Sequence, residues 1–193
     1  MKKLLCVILA AVMVLSLAAC SGSNNPAGGN GGVEIADSLA LLTTVWDSYT
    51  EDEKFPAAGG DYENNVMDGP GGIDISTLEA DELDYLLALN AEGAALIDDA
   101  ASLTHMMNAN TFTCGAFRAQ KAEDVETLAK SLRDNIQQRQ WMCGFPDKLI
   151  VVSVGNYIVE CFGAEDLVNT FRDKLAAAYP SANVITDEAI AID

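Results

Sequence analysis

The sequence predicts an α+β fold: a two-layer sandwich of antiparallel sheet with helices on one face, with further helices appended at its amino-terminal side. The predicted order is ferredoxin-like: strand, helix, strand, strand, helix, and a last strand if one forms. Three observations carry this. Leu149-Ile150-Val151-Val152-Ser153-Val154, then Gly155-Asn156, then Tyr157-Ile158-Val159-Glu160-Cys161-Phe162 reads as two strands and a tight turn. An amphipathic helix pattern stands on each side of that hairpin. An apolar run, Thr111 to Ala119, precedes the first of them.

Taken in chain order, Asp37 can cap a helix whose apolar positions are Leu39, Leu42, Val45, Trp46 and Tyr49, at three- and four-residue steps. The pattern stops at Phe55-Pro56, and Gly59 to Gly72, rich in glycine and aspartate, reads as a long loop. A second helix is expected from about Leu78 to Leu89, with Leu83, Leu86 and Leu87 inward. Ala101 to Met107 and Thr111 to Ala119 read as strands around Asn108-Ala109-Asn110, because asparagine suits a turn. A turn centred on Ala109 pairs His105 with Thr113 and points Cys114 to the opposite face.

Glu123 and Asp124 suit a helix start, and Val125, Leu128, Ala129, Leu132 and Ile136 then share one face. Closing the hairpin at Gly155-Asn156 sets Val154 opposite Tyr157, Val152 opposite Val159 and Ile150 opposite Cys161. One hairpin face is then wholly apolar and contains Cys161. The last helix carries Glu165 and Asp166 in its first turn and buries Leu167, Val168, Phe171 and Leu175, and Pro180 stops it. Asn183 to Thr186 can add a short edge strand.

The start of the chain has a different character. Met1-Lys2-Lys3 is cationic, Leu4 to Ala19 is almost wholly apolar, and small residues precede Cys20. That is the order of an export signal, residues 1–19, and it is too short for a spanning helix. Leu17-Ala18-Ala19-Cys20 resembles the lipobox of bacterial lipoproteins. The resemblance implies cleavage between Ala19 and Cys20 and a diacylglyceryl group on the Cys20 sulfur. Two or more acyl chains hold a protein stably at a membrane. Residues 20–33, rich in glycine, serine and asparagine, read as a flexible tether, leaving 34–193 as one extracytoplasmic domain.

Eleven basic residues stand against 29 acidic ones, a net charge of −18. Lys2 and Lys3 leave with the signal. So acidic a surface opposes nucleic acid and anionic lipid, so the membrane is reached through the lipid and not through a basic patch. Cys6 also leaves and Cys20 is acylated, so Cys114, Cys143 and Cys161 remain: at most one disulfide and one free thiol, or three buried thiols.

Met106-Met107-Asn108 before a strand, Ala122-Glu123-Asp124-Val125 opening a helix, and Val154-Gly155-Asn156-Tyr157-Ile158-Val159 resemble the domain-of-unknown-function family 4358. Its members are mostly lipoproteins of clostridia and related Gram-positive bacteria. The resemblance spans roughly 75–178 and implies the same layout: lipobox, polar tether, one domain. It implies no activity. The family's aromatic segment between helix and hairpin corresponds to Trp141-Met142-Cys143-Gly144-Phe145-Pro146, where Cys143 is a departure.

No constellation names a chemistry. His105 is the only histidine, which removes most triads and multi-histidine metal sites. A Cys114–His105 nucleophile pair fails in the expected register. Met106 and Met107 suit a core more than a soft metal. Asp61, Glu63, Asn65 and Asp68 suggest calcium, yet Val66 and Gly72 stand where an EF-hand needs glycine and a bidentate acid. No phosphate-cradling loop or dinucleotide fingerprint is present, so no cofactor is expected. Trp141, Phe145 and Tyr157 are the candidate surface for a ligand or partner; if buried, they are core. The expected role is a non-enzymatic module of the cell envelope, binding a small molecule or an envelope protein. The alternatives are a carboxylate-dependent envelope enzyme and a structural accessory of a membrane complex.

Overall fold

The structure is a computed structural model and describes residues 34–191; the signal, Cys20 and the tether lie outside the described residues. Its centre is the expected hairpin, β6 (Lys148–Val154) and β7 (Tyr157–Gly163). Gly155 alone in the turn has positive φ, 60°, which is the glycine-first pattern of a type II′ turn. The register is the expected one: Val154 faces Tyr157, Val152 faces Val159 and Ile150 faces Cys161.

Around the hairpin are α1 (Ser38–Asp47), β1 (Ala57–Gly59), β2 (Val66–Met67), β3 (Gly71–Ile73), α2 (Ala80–Leu87), α3 (Ala91–Ala94), β4 (Ile97–His105), β5 (Phe112–Ala119), α4 (Val125–Gln138), α5 (Glu165–Ala178) and β8 (Asn183–Ala189). The eight strands form one antiparallel sheet in the order β2-β1-β4-β5-β7-β6-β8, with β3 also pairing β4. The class is therefore the α+β sheet-and-helix sandwich that the pattern implies.

The placing of the helices corrects the expectation of a single covered face. One core holds α1 and α5 residues (Leu42, Trp46, Phe171, Leu175) against Cys114, Ile150, Val152, Val159 and Cys161. The other holds α2 and α4 residues (Leu83, Leu87, Leu132, Ile136) against Phe117, Leu149, Val151, Ile158 and Phe162. Helices thus cover both faces, and the unbroken apolar run Leu149–Val152 is the mark of a strand buried on both sides.

Topology explains it. The chain order strand–helix–strand–strand–helix–strand is present from β5 to β8, but β8 pairs β6 at the far edge, because β4 already occupies the outer side of β5. In a ferredoxin-like sheet the last strand returns beside the first. Here both crossovers step the same way across the sheet from strands that point oppositely. Right-handed connections of that kind put their helices on opposite faces.

The amino-terminal half departs in detail. The expected loop 59–72 contains three short strands, made possible where two glycines meet: a Cβ on Gly59 would lie 2.1 Å from the Gly71 nitrogen. β4 begins four residues earlier than expected. Its pairing with β5 is shifted by one, Thr104 facing Thr113 and Leu103 facing Cys114. The cause is a 3-10 turn at Ala109–Thr111, capped by the Asn108 side chain, which accepts from the Asn110 amide at 2.9 Å. α2 ends early at Ala88, whose φ is 52°, and leaves Leu86 half-buried. One sheet edge is made by β2, two residues long, and β3, three residues long; the other, β8, is mostly exposed and carries Asp187 and Glu188.

Candidate functional site

Eleven large apolar side chains are exposed among the described residues, and six of them line one region of the surface. Two adjoining hollows of about 570 Å³ each share Leu86, Thr104, Asn108 and Ala109, and form a continuous groove. Each is of the size that takes a small organic molecule, roughly 300–1,000 Å³. The floor is the end of β4, on the face that α2 and α4 cover elsewhere. Met67 comes from β2, Met106 and Met107 from the turn after β4, Tyr85 from the outer side of α2, and Met142 from the segment after α4. All four methionines of the described residues are in this rim, Met107 at 76% and Met142 at 86% exposure. The sequence reading of Met106 and Met107 as core is thereby corrected: the one-residue shift ends β4 at His105 and leaves them in the connection.

The wall after α4 is held by charge and amide contacts. Arg139 donates to the carbonyls of Asp84 at 2.8 Å and Tyr85 at 2.9 Å, at the carbonyl-rich end of α2. Its guanidinium lies 5.7 Å from the Trp141 ring, which packs on Phe162 at 5.3 Å. The Asn110 side-chain amide donates to the carbonyls of Cys143 at 3.0 Å and Gly144 at 3.1 Å. A polar handle therefore fixes each end of an otherwise adaptable apolar wall.

The predicted surface of Trp141, Phe145 and Tyr157 does not assemble. Trp141 is half-buried and lines the groove, and Phe145 is exposed at 57% outside it. Tyr157 is 7% exposed in the other core, its hydroxyl donating to the Ile35 carbonyl at 3.3 Å. Phe162 and Tyr157 lie at opposite ends of β7 with side chains on opposite faces, so nothing on Phe162 can reach Tyr157.

The shifted register puts His105 on the face of Cys114, two residues along. His105 stacks on Phe55 at 5.5 Å, and its Nδ1 accepts from the Met107 amide at 3.3 Å. Cys114 is wholly buried, and burial pushes its thiol above the ordinary range. Among the described residues His105 has no hydrogen bond to Cys114.

Asp61 organises its loop instead of offering a calcium ligand. Its carboxylate accepts from the amides of Glu63, Asn64 and Asp74 at 2.9, 2.7 and 3.0 Å, and from the Asn64 side chain. Burial alone would raise this carboxyl; the hydrogen bonds outweigh it and hold it below its usual value. Among the described residues no group of three or more His, Cys, Asp or Glu could hold a metal ion.

Two other hollows present fewer exposed apolar side chains. One, of about 250 Å³, is lined by four acids, but Asp187 is paired with Lys148 and Arg172 at 2.6 Å each, and Glu188 with Arg133 at 2.6 Å. The other, about 500 Å³ between α4 and β8, presents Ile185 as its single exposed large apolar side chain.

Sequence reasoning missed Glu160. It lies in β7 on the α4 face, wholly buried, opposite Gly115 and Val151, and neither carboxyl oxygen has a hydrogen-bond partner. Burial pushes its carboxyl well above the ordinary range, with Arg139 only partly opposing. A lone acid inside an apolar strand was the available signal. The Trp141 indole nitrogen is likewise buried and unpartnered.

Fold and groove together define a class: an α+β domain, sheet covered on both faces, with one methionine-rimmed cleft at the sheet end. Comparison with protein-family models, with curated proteins and with solved structures finds no match to this chain.

Proposed function

We propose that this chain is a lipid-anchored, extracytoplasmic lipoprotein of the cell envelope whose folded domain binds a small amphipathic molecule in the groove. The resemblance to family 4358 belongs to the same proposal. The observation that carries the binding reading is the gathering of six exposed apolar side chains around one continuous cleft in which polar side chains are interspersed. Methionine is flexible and polarisable, so such a rim adapts to an apolar body, while Thr104, Asn108 and Arg139 supply hydrogen bonds for a polar end. Among the described residues no helix is long and apolar enough to cross a membrane. In this reading attachment rests on Cys20.

The test uses an apolar fluorescent probe and thermal shift on the protein, followed by sugars, amino acids and peptidoglycan fragments. The double variant Met107→Glu, Met142→Glu alters side chains that pack on little. Each buried methionine contributes about 1.5–3 kcal/mol, so probe affinity is expected to fall at least about tenfold with the fold intact. Unchanged affinity would remove the groove as the site.

A protein partner is the second reading, favoured by the high exposure of the same Met107 and Met142. Photo-crosslinking from position 107 in intact cells distinguishes the two, by capturing one defined envelope protein or none.

A further inference from the structure

We infer that Cys114 and Cys161 are a cross-strand disulfide pair, leaving Cys143 as the domain's free thiol. The two cysteines face each other directly in the β5–β7 ladder. Both are wholly buried, and both belong to the core beneath α1 and α5. The parity of the ladder decides the geometry. The Ala164 amide donates to the Thr111 carbonyl and the Ala119 amide to the Asn156 carbonyl. Hydrogen-bonded pairs therefore fall at the odd-numbered positions of β5, and Cys114–Cys161 is a non-hydrogen-bonded pair. In such pairs the Cα atoms stand about 4.5 Å apart with side chains close, within the roughly 4.4–6.8 Å that a disulfide spans.

Cys143 has no such option. It lies exposed in the segment after α4 that borders the groove, on the other side of the sheet from the pair. The structure shows all three as thiols, which is the reduced state of the pair.

The step is a thiol–disulfide exchange with a small or protein disulfide as oxidant. One thiolate attacks the oxidant, releasing one thiol and leaving a mixed disulfide. The second cysteine displaces the other half. Two S–H bonds are lost, the S–S bond of Cys114–Cys161 forms, and the oxidant leaves as two thiols carrying both protons and both electrons. Burial raises both thiols, Cys161 well above its ordinary value, so attack inside the closed core is slow. The bond forms as the sheet closes and not as a fast response of the folded protein. This inference is independent of what the groove binds.

Protein carrying Cys6→Ala and Cys20→Ala, so that Cys114, Cys143 and Cys161 are its only cysteines, is unfolded under reduction and refolded with a glutathione redox couple. It is then alkylated under denaturing conditions, digested without reduction and mapped by mass spectrometry. The expected result is one linked pair of peptides containing Cys114 and Cys161, alkylation at Cys143 alone, and a melting temperature that falls when the bond is reduced. A Cys143→Ala variant keeps the link. Three alkylated cysteines after oxidative refolding, or a link through Cys143, overturns the assignment. Should Cys114→Ala misfold, the Cys143→Ala map still decides, since only one pairing is then available and its absence is fatal to the proposal.

Discussion

Glu160 bears the cost of being the one acid in a strand otherwise buried on both faces. Its carboxyl is held well above the usual range by desolvation, so the folded state keeps a proton that the unfolded chain releases. The sign follows from linkage. The associated stability is complete below the ordinary glutamate value and is lost as pH rises through the raised one. Melts from about pH 5 to about pH 9 are expected to show wild type declining relative to Glu160→Gln, by at most about 1.4 kcal/mol per pH unit for one proton. A flat difference between the two proteins contradicts a buried neutral acid. Residue by residue, the hairpin partners were legible because a two-residue Gly-Asn turn admits one register. Trp141, Phe145 and Tyr157 were not legible as a set, because sequence proximity says nothing about which side of a sheet a side chain takes.

Among the elements, the short strands before α2 depend on glycine in a way that separates two neighbours. Gly59 and Gly71 touch backbone to backbone, whereas a methyl group on Gly72 meets only Leu39 at 3.8 Å. Gly59→Ala is expected to cost about 1–3 kcal/mol by forcing the β1–β3 contact apart. Gly72→Ala is expected to stay within about 0.5 kcal/mol. Urea unfolding of both variants checks the contrast. Asp61→Ala removes the acceptor of several loop amides, and a loss of about 1–3 kcal/mol is expected in the same assay. These strands were hidden in the sequence because two- and three-residue segments carry no period. The glycine and aspartate content that reads as a loop is also what lets chains approach this closely. β5, α4, β6, β7 and α5 were legible because each is long enough to show its periodicity.

At the scale of the molecule, the handedness of crossovers governs the layering. The sequence announced the order of elements but not that β8 would take the far edge, and that choice alone sends α5 to the face opposite α4. The groove was illegible for a related reason: its methionines become a rim only once the β4–β5 register is shifted. The amino-terminal proposal is tested at this scale too. Cys20→Ala is expected to move the protein from the membrane fraction to the soluble fraction of lysed cells, with the domain's melting temperature unchanged; continued membrane recovery argues against acyl anchoring. The two borders of the sheet also bear on how copies of this chain behave together. The border made by β2 and β3 offers few rungs for strand addition, whereas β8 offers seven residues, with Val184 and Ile185 exposed and with Asp187 and Glu188 already paired to Lys148, Arg172 and Arg133. Strand pairing between crowded copies is therefore expected at the β8 border and not at the other.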